Sequence, residues 1–278
     1  RNRVLFLIRN WQGNCVAFGG RDLSGESKAK YINTPDTSIY SKRHNLFGFY
    51  ESLQTLKEKG EIILCEGNFD VISLHQAGIT NACAPLGTAF TEEQATLIKR
   101  YCSKVNILFD SDDAGQNATK KALLICQKND LENRVIKLEG AKDASQMLEE
   151  MGPEAVVNSC LNSIGGFSYL VSRAIKLYDI RQPKGKSSVF EEVKPYLDAT
   201  SSSIERQGYI KYLADVLRIK EEQVLIDYRN QQRNERPVED NVKVIKHKYN
   251  PLKLAAELRV MLTLVNNREL FPEFRNQV

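Results

Sequence analysis

The chain has 278 residues, of which 42% are hydrophobic and 27% charged, a composition that excludes a disordered or fibrous protein and allows one large domain or two modest ones. No apolar run approaches the length of a membrane span, and no signal-peptide pattern opens the chain, which argues against a membrane protein. The net charge of +4 is uneven, with 8 Lys or Arg against 3 Asp or Glu in residues 1–50 and 11 against 14 in residues 51–145.

Cysteine usage bears on the cellular compartment. The six cysteines are scattered without a C-x-x-C pair, and most fall in apolar runs, where a thiol packs as a small hydrophobe. This pattern favours reduced cysteines in a cytoplasmic protein and argues against a zinc site. Because the sequence begins with Arg1 and not with Met, we expect it to be a piece of a longer protein.

The first region combines short strands with one helix. Alternating apolar residues predict strands at Val4–Ile8 and Val16–Phe18, and a third is expected at Lys30–Asn33 before a proline. Helical spacing of apolar residues follows over Leu46–Lys59, and Gly60 is a suitable C-terminal cap.

The second region alternates strands with helices. The predicted strands are Ile62–Cys65, Ala82–Ala84, Val105–Phe109 and Arg134–Leu138, and the predicted helices are Phe69–Ala77, Thr91–Tyr101 and Ala114–Gln127. Such alternation with short connections predicts a mostly parallel sheet flanked by helices, so the fold class is α/β.

The third region, about 143–228, has no strand-like alternation and is expected to be helical. Helices are predicted at 144–151, 153–161, 167–178, 187–197, 203–217 and 221–229. Residues 230–249 are polar and poorly periodic, which is typical of a linker, and an amphipathic helical pattern resumes at 251–266.

An acidic cluster follows a predicted buried strand. Asp110, Asp112 and Asp113 come after the apolar run 105–108, and the carboxyl end of such a strand lines the crevice where α/β sheets bind ligands. Carboxylates crowded in this way favour a bound cation, and oxygen ligands alone suit Mg²⁺ or Mn²⁺. The cluster therefore predicts a metal site that handles phosphate.

A second acidic motif follows an earlier strand of the same sheet. Glu66 comes directly after Ile62–Cys65, and Asp70 lies one helical turn further on. We expect Gly67 between them to allow a sharp turn and the close approach of a ligand. Convergence of Glu66 with Asp110 and Asp112 would create a cluster of carboxylates able to hold one or two cations.

Taken together, these motifs resemble a known family. A Glu-Gly-x-x-Asp after one strand and an Asp-x-Asp-x-Ala-Gly after a later one resemble the Toprim domain of DnaG-type primases, topoisomerases and some nucleases. The segments Val16–Arg21, Lys30–Pro35 and Leu46–Tyr50 look like the basic subdomain that precedes Toprim in DnaG-type primases. The resemblance extends in order over residues 1–230.

The resemblance implies roles for particular residues. Glu66, Asp110 and Asp112 would be the catalytic and metal-binding acids, supported by Asp70 and Gly67, and would bind two or more Mg²⁺ or Mn²⁺ ions. The family carries a further Asp-x-Asp; here Asp143 fits as a metal ligand, but Ser145 replaces the second acid. The implied contacts to nucleotide or DNA phosphates are Arg21, Lys30, Asn33 and Lys42.

The family also implies an activity and a domain order. A bacterial-type primase joins ribonucleoside triphosphates into an RNA primer on a single-stranded DNA template and works with the replicative helicase. The expected divisions are a basic N-terminal subdomain at 1–59, a Toprim domain at 60–142, a helical subdomain at 143–229, and a linker with the start of a helicase-binding domain at 230–278.

Other functions remain open from the sequence. A Toprim nuclease or topoisomerase shares the acidic motifs, although Tyr31 and Tyr101 lack an obvious context for the tyrosine nucleophile that a topoisomerase needs. In a haloacid-dehalogenase-type phosphatase, Asp110 and Asp112 would form the nucleophile motif, but that motif normally lies on the first strand of its domain. A non-catalytic platform between DNA and the helicase is the non-enzymatic alternative.

Overall fold

The computed structural model describes residues 2–25 and 29–235. The chain divides into two compact units, Arg1–Tyr228 and Arg229–Val278. The larger part of the predicted linker and the helix expected at 251–266 lie outside the described residues. None of the described helices has both the length and the apolar character needed to cross a bilayer.

A three-stranded antiparallel sheet forms the first part of the chain, with the order β1–β2–β3. Its strands are β1 (Arg3–Arg9), β2 (Cys15–Asp22) and β3 (Tyr31–Asn33), so all three predicted strands are present. Strand β2 continues beyond Phe18 because Gly19 and Gly20 pair with Phe6 and Leu5 of β1. The longer β2 carries Arg21 to the end of the sheet.

Helix α1 (Phe49–Lys59) begins three residues later than the sequence predicts. The reason is that Phe47 is held extended by hydrogen bonds in both directions with Ala84, at 2.8 and 3.0 Å. Gly48 then takes the left-handed conformation, with φ of 76°, which is accessible to glycine at little cost. At its other end the helix stops at Gly60, as predicted.

The central sheet has five strands in the order β5–β4–β6–β7–β8. They are β4 (Glu61–Cys65), β5 (Ala82–Cys83), β6 (Lys104–Leu108), β7 (Glu132–Ile136) and β8 (Ser163–Gly165). The first four are parallel, which confirms the mostly parallel sheet. In β4 the buried residues alternate between two cores: Ile62 and Leu64 belong to one, and Ile63 and Cys65 to the other. The sheet is therefore covered on both faces.

Strand β8 contradicts the prediction that no strand occurs after residue 143. It pairs antiparallel with β7, and Arg134 on β7 donates from Nε to Ser163 Oγ at 2.8 Å. The strand has three residues, none of them fully buried, so it lacks the alternating pattern by which strands are recognised. Its pairing depends on the neighbouring strand and not on its own sequence.

Helices connect and cover these strands. They are α2 (Asn68–Gln76), α3 (Glu92–Lys99), α4 (Asp113–Lys128), α5 (Ala144–Met151), α6 (Pro153–Leu161), α7 (Gly166–Leu177), α8 (Pro183–Ala199), α9 (Ser203–Leu217) and α10 (Glu221–Glu235). Helix α8 begins earlier than predicted because Pro183 occupies its first turn, where the missing N–H costs nothing. Helix α10 extends to Glu235, so the prediction of a linker from residue 230 is wrong over its first six residues.

Candidate active site

Two acidic residues follow neighbouring strands of the central sheet. Strands β4 and β6 are hydrogen-bonded in parallel, with Cys65 opposite Leu108 at their carboxyl ends. Glu66 comes next after β4, and Asp110 is the second residue after β6. The Asp110 N–H donates to Glu66 Oε2 at 3.2 Å, so the fold brings together the two motifs that lie 44 residues apart in the chain.

Asp112, two residues after Asp110, is the N-terminal cap of α4. Its carboxylate caps α4 by accepting a hydrogen bond from the Gly115 N–H at 2.9 Å. The ammonium group of Lys142 lies 3.5 Å from Asp110 Oδ2 and 3.4 Å from Asp112 Oδ2. Lys142 directly precedes Asp143 in the segment matched to the further Asp-x-Asp motif, but the sequence assigned no role to its side chain.

Asp70 and Asp143 add negative charge near Asp110. Asp70 is only 7% exposed and accepts a hydrogen bond from the Gly67 N–H at 3.2 Å. Asp143 caps α5 through the Gln146 N–H at 2.8 Å. Gly67 has φ of −133°, an extended conformation open to any residue, so the backbone makes no turn there that requires glycine; the close approach of a ligand at Gly67 stays a prediction.

The carboxylates destabilise one another's charged forms. Burial, with the nearby charges of Asp143 and Asp110, raises the pKa of Asp70 to about 6. Burial also raises the pKa of Glu66 and of Asp110, and in both cases neighbouring carboxylates contribute. A group of acids with raised pKa values favours a cation that would offset the repulsion.

These acids form one wall of a cleft of about 520 Å³. Loops and helices that follow strands of the central sheet contribute Glu66, Gly67, Asp70, Asp110, Asp143 and Ser145, and residues in or next to the small sheet contribute Arg21, Lys30 and Asn33. We call this the acidic–basic cleft. Asp112 and Lys42, which the resemblance also implied, are not among its lining residues.

The basic side of the acidic–basic cleft is built on aromatic rings. The Arg21 guanidinium lies 4.1 Å from the centre of the Phe69 ring and 5.7 Å from that of Tyr31, a cation–π arrangement that orients the charge. Asn33 donates from Nδ2 to the Leu86 carbonyl at 3.1 Å. Phe69 and Tyr31 were not predicted as site residues, although the position of Phe69 inside the Glu66–Asp70 motif was an available signal.

Asp70 provides a test of the charge balance in the metal-free protein. Its folded pKa of about 6 lies above its ordinary value of 3.8, so the folded state binds this proton more tightly than the unfolded state. Stability from the bound proton is therefore full below pH 3.8 and is lost as the pH rises through about 6. We expect the loss of this proton as the pH rises from 3.8 to above 6 to lower the free energy of unfolding by about 3 kcal/mol.

Urea unfolding of metal-free protein between pH 4 and pH 7 measures this effect. Asp70→Asn should flatten the profile, because the side chain no longer titrates. The control is Asp113→Asn, which removes an exposed acid and should leave the slope unchanged. An unaltered slope in Asp70→Asn would contradict the raised pKa.

Comparisons with known proteins agree with this architecture. Family models match a Toprim-like domain at residues 63–148, the N-terminal domain of the DNA primase catalytic core at residues 1–53, and the DnaB-helicase binding domain of primase at residues 167–222. The last match lies on α7–α9, whereas the sequence suggested a helicase-binding domain starting within 230–278; that placement stays a prediction.

Two individual relatives are DNA primases. The chain is 37% identical to a DNA primase of Clostridium acetobutylicum over 81% of the chain and 37% of the relative. It is 32% identical to a DNA primase of Treponema pallidum over 100% of the chain and 47% of the relative. The chain thus spans less than half the length of these two curated relatives.

A solved DNA primase domain from Pseudomonas aeruginosa superposes with a TM-score of 0.73 at 31% identity, covering 81% of this chain and 71% of that one. The fold and the acidic strand ends place the chain in the class of proteins with a Toprim-type domain. With a primase-type basic sheet before that domain, the chain belongs to the bacterial DnaG-type DNA primase family.

Proposed function

We propose that the chain is catalytic-core sequence of a DNA primase, which synthesises short RNA primers on single-stranded DNA by metal-dependent nucleotidyl transfer. The observation that carries this proposal is the acidic–basic cleft, where the carboxylates of Glu66 and Asp110 line the same space as the cations of Arg21 and Lys30. A nucleoside triphosphate needs both features, because phosphates require cationic partners and phosphoryl transfer requires metal ligands.

Metal dependence follows from membership of the family, and the donor chemistry fits Mg²⁺ or Mn²⁺. We propose Glu66, Asp110, Asp112 and Asp143 as ligands for two or more ions, with Ser145 as a weaker neutral ligand. As arranged in the structure, no three acidic, histidine or cysteine side chains of the described residues are grouped closely enough to hold an ion. Burial, with a smaller contribution from neighbouring carboxylates, raises the pKa of Glu66 and of Asp110, and a bound cation would offset both effects.

When bound, the metal ions would lower the pKa of the attacking 3′-hydroxyl and neutralise charge on the transferring phosphate. The chain's own residues orient the substrates. Arg21, fixed against Phe69, would hold phosphate oxygens without reading base identity, and Lys30 at the edge of the same cleft would add a second charge. Asn33 and Lys42 remain proposed contacts, the first already engaged with Leu86.

The proposed ligands and partners are a single-stranded DNA template, ribonucleoside triphosphates, the RNA primer and the replicative helicase. A DnaG primase catalytic domain solved bound to single-stranded DNA resembles this chain with a TM-score of 0.72 and 29% identity, which supports the template. The match to the DnaB-helicase binding domain supports the helicase. The proposed location is the bacterial cytoplasm, at the replication fork.

Incorporation of labelled ribonucleotides tests the function. The protein is incubated with single-stranded DNA, ribonucleoside triphosphates and Mg²⁺ or Mn²⁺, and the products are resolved by length. Oligoribonucleotides that require both template and metal support the proposal. Cleavage of plasmid DNA without added nucleotides, combined with no synthesis, would instead favour a Toprim nuclease.

Arg21→Ala is expected to raise the Kd for a nucleoside triphosphate about tenfold. Charge-assisted hydrogen bonds to phosphate contribute about 1.5–3 kcal/mol each, partly recovered by water. Fluorescence titration with a labelled triphosphate measures the change. Arg43→Ala is the control, because Arg43 pairs with Glu93 at 2.8 Å and does not line the cleft. An equal effect of both substitutions would contradict a phosphate contact at Arg21.

A further inference from the structure

Lys142 occupies a definite position relative to two of the proposed metal ligands. Its Nζ faces Oδ2 of Asp110 at 3.5 Å and Oδ2 of Asp112 at 3.4 Å. Its backbone is tied to the same loop, since the Ser111 N–H donates to the Lys142 carbonyl at 3.3 Å. The backbone of this loop therefore holds Lys142 where its ammonium group reaches both carboxylates.

The second backbone group of Lys142 is also anchored. Its N–H donates to Gln146 Oε1 at 2.9 Å, which links the loop to α5 next to Asp143. The side chain itself is 55% exposed, so its ammonium group can leave for water without any repacking. The backbone of Lys142 is thus held in place by two hydrogen bonds, whereas its ammonium group is free to move into water.

We propose that Lys142 is a tethered counter-ion, which holds Asp110 and Asp112 together in the metal-free protein and which an arriving divalent cation must displace. The inference rests on the proposed metal site. The ammonium group and a metal ion would compete for the same carboxylate oxygens, and two positive charges at such a distance repel one another. Lys142 therefore keeps the site assembled before metal arrives and weakens the affinity for the ion.

Mn²⁺ titration followed by electron paramagnetic resonance tests the competition directly, without any assay of activity. Lys142→Met keeps the aliphatic stem and both backbone hydrogen bonds but removes the charge, and we expect a Kd for Mn²⁺ about fivefold to tenfold lower than in the wild type. Lys142→Arg keeps the charge and should remain within about twofold of the wild type.

The matched control is Lys137→Met. Lys137 lines the same cavity of about 230 Å³ as Lys142, but its Nζ lies near the Tyr169 ring, 5.6 Å from the ring centre. The same change in net charge at this position should alter the Kd by less than about twofold. A decrease equal to that of Lys142→Met would mean that the general electrostatic field, and not competition for carboxylates, controls the affinity, and would overturn the inference.

A further variant separates this inference from the proposed function. If Asp110→Asn abolishes Mn²⁺ binding while Lys142→Met leaves the Kd unchanged or raises it, the tethered counter-ion is refuted and the metal site stands. If Asp110→Asn leaves Mn²⁺ binding unchanged, the metal site itself is refuted, and the inference falls with it.

Discussion

Replacing Asp110 with asparagine is expected to lower the rate of primer synthesis by about 10²–10³-fold. Loss of one preorganised charge-stabilising group at a reacting centre has an effect of this size. Asparagine keeps the shape of the side chain and one acceptor oxygen, so the change isolates the negative charge. The rate of ribonucleotide incorporation on single-stranded DNA, measured at saturating triphosphate and metal, is the readout.

Glu66→Gln should have a similar effect, because Glu66 accepts the Asp110 N–H at 3.2 Å and its carboxylate lines the same cleft. The double variant should be little slower than either single one, since the two residues act on the same ions. Multiplicative losses would instead indicate independent roles and contradict a shared metal site.

The chain provides a matched control within the same acidic cluster. Asp113 is the first residue of α4 and is exposed, and Asp113→Asn makes the same chemical change three positions from Asp110. We expect less than a twofold to threefold effect on synthesis, through a slightly weaker charge at the helix N-terminus. Full activity of Asp110→Asn would refute the proposed role of Asp110, and an equal loss in Asp113→Asn would show that the assay reports net charge.

The pairing of Glu66 with Asp110 could be predicted because both follow apolar runs that form neighbouring parallel strands. Such strands present their carboxyl ends at one edge, so short-range patterns were enough to bring distant residues together. The start of α3 could be predicted as well, because threonine is a preferred N-terminal cap. The Thr91 hydroxyl accepts a hydrogen bond from the Gln94 N–H at 3.2 Å. Local chemistry determined these features, and local sequence therefore revealed them.

Other features depend on contacts between distant segments. Lys142 reaches Asp110 from the loop that follows β7, the strand paired with β6, and such a contact leaves no periodic signal. The stacking of Arg21 on Phe69 joins the small sheet to α2, and neither residue type predicts the other. Strand β8 forms because the edge of β7 is available. Sequence patterns describe one element at a time, so contacts of this kind were missed.

Gly115 belongs to the Asp-x-Asp-x-Ala-Gly motif, and only the structure shows why a glycine is required there by the packing. A Cβ atom at this position would lie 2.2 Å from the Asp110 carbonyl oxygen and 2.8 Å from its carbonyl carbon. Both atoms belong to the backbone and cannot rotate away. The Ala-Gly after the Asp-x-Asp motif therefore allows α4 to begin directly against the segment that carries Asp110.

Gly115→Ala is accordingly expected to lower the free energy of unfolding by about 2–3 kcal/mol, the usual cost of overpacking a close contact. Urea unfolding followed by circular dichroism measures the loss. Gly208→Ala is the matched control, since a Cβ at Gly208 inside α9 would meet no atom within 4 Å. There the same substitution should stabilise the protein by about 0.5–1 kcal/mol, because alanine has the higher helix propensity.

Gly115→Ala should also slow synthesis by the protein molecules that remain folded. At a temperature where the variant is fully folded, the added methyl group must still move the Asp110 backbone, and with it the N–H that reaches Glu66. Small displacements of catalytic groups reduce rates by about 10²-fold, so we expect a comparable loss, accompanied by weaker Mn²⁺ binding. Normal synthesis by a folded Gly115→Ala protein would mean that the carboxylate positions tolerate such a shift, and that their separation does not limit the reaction.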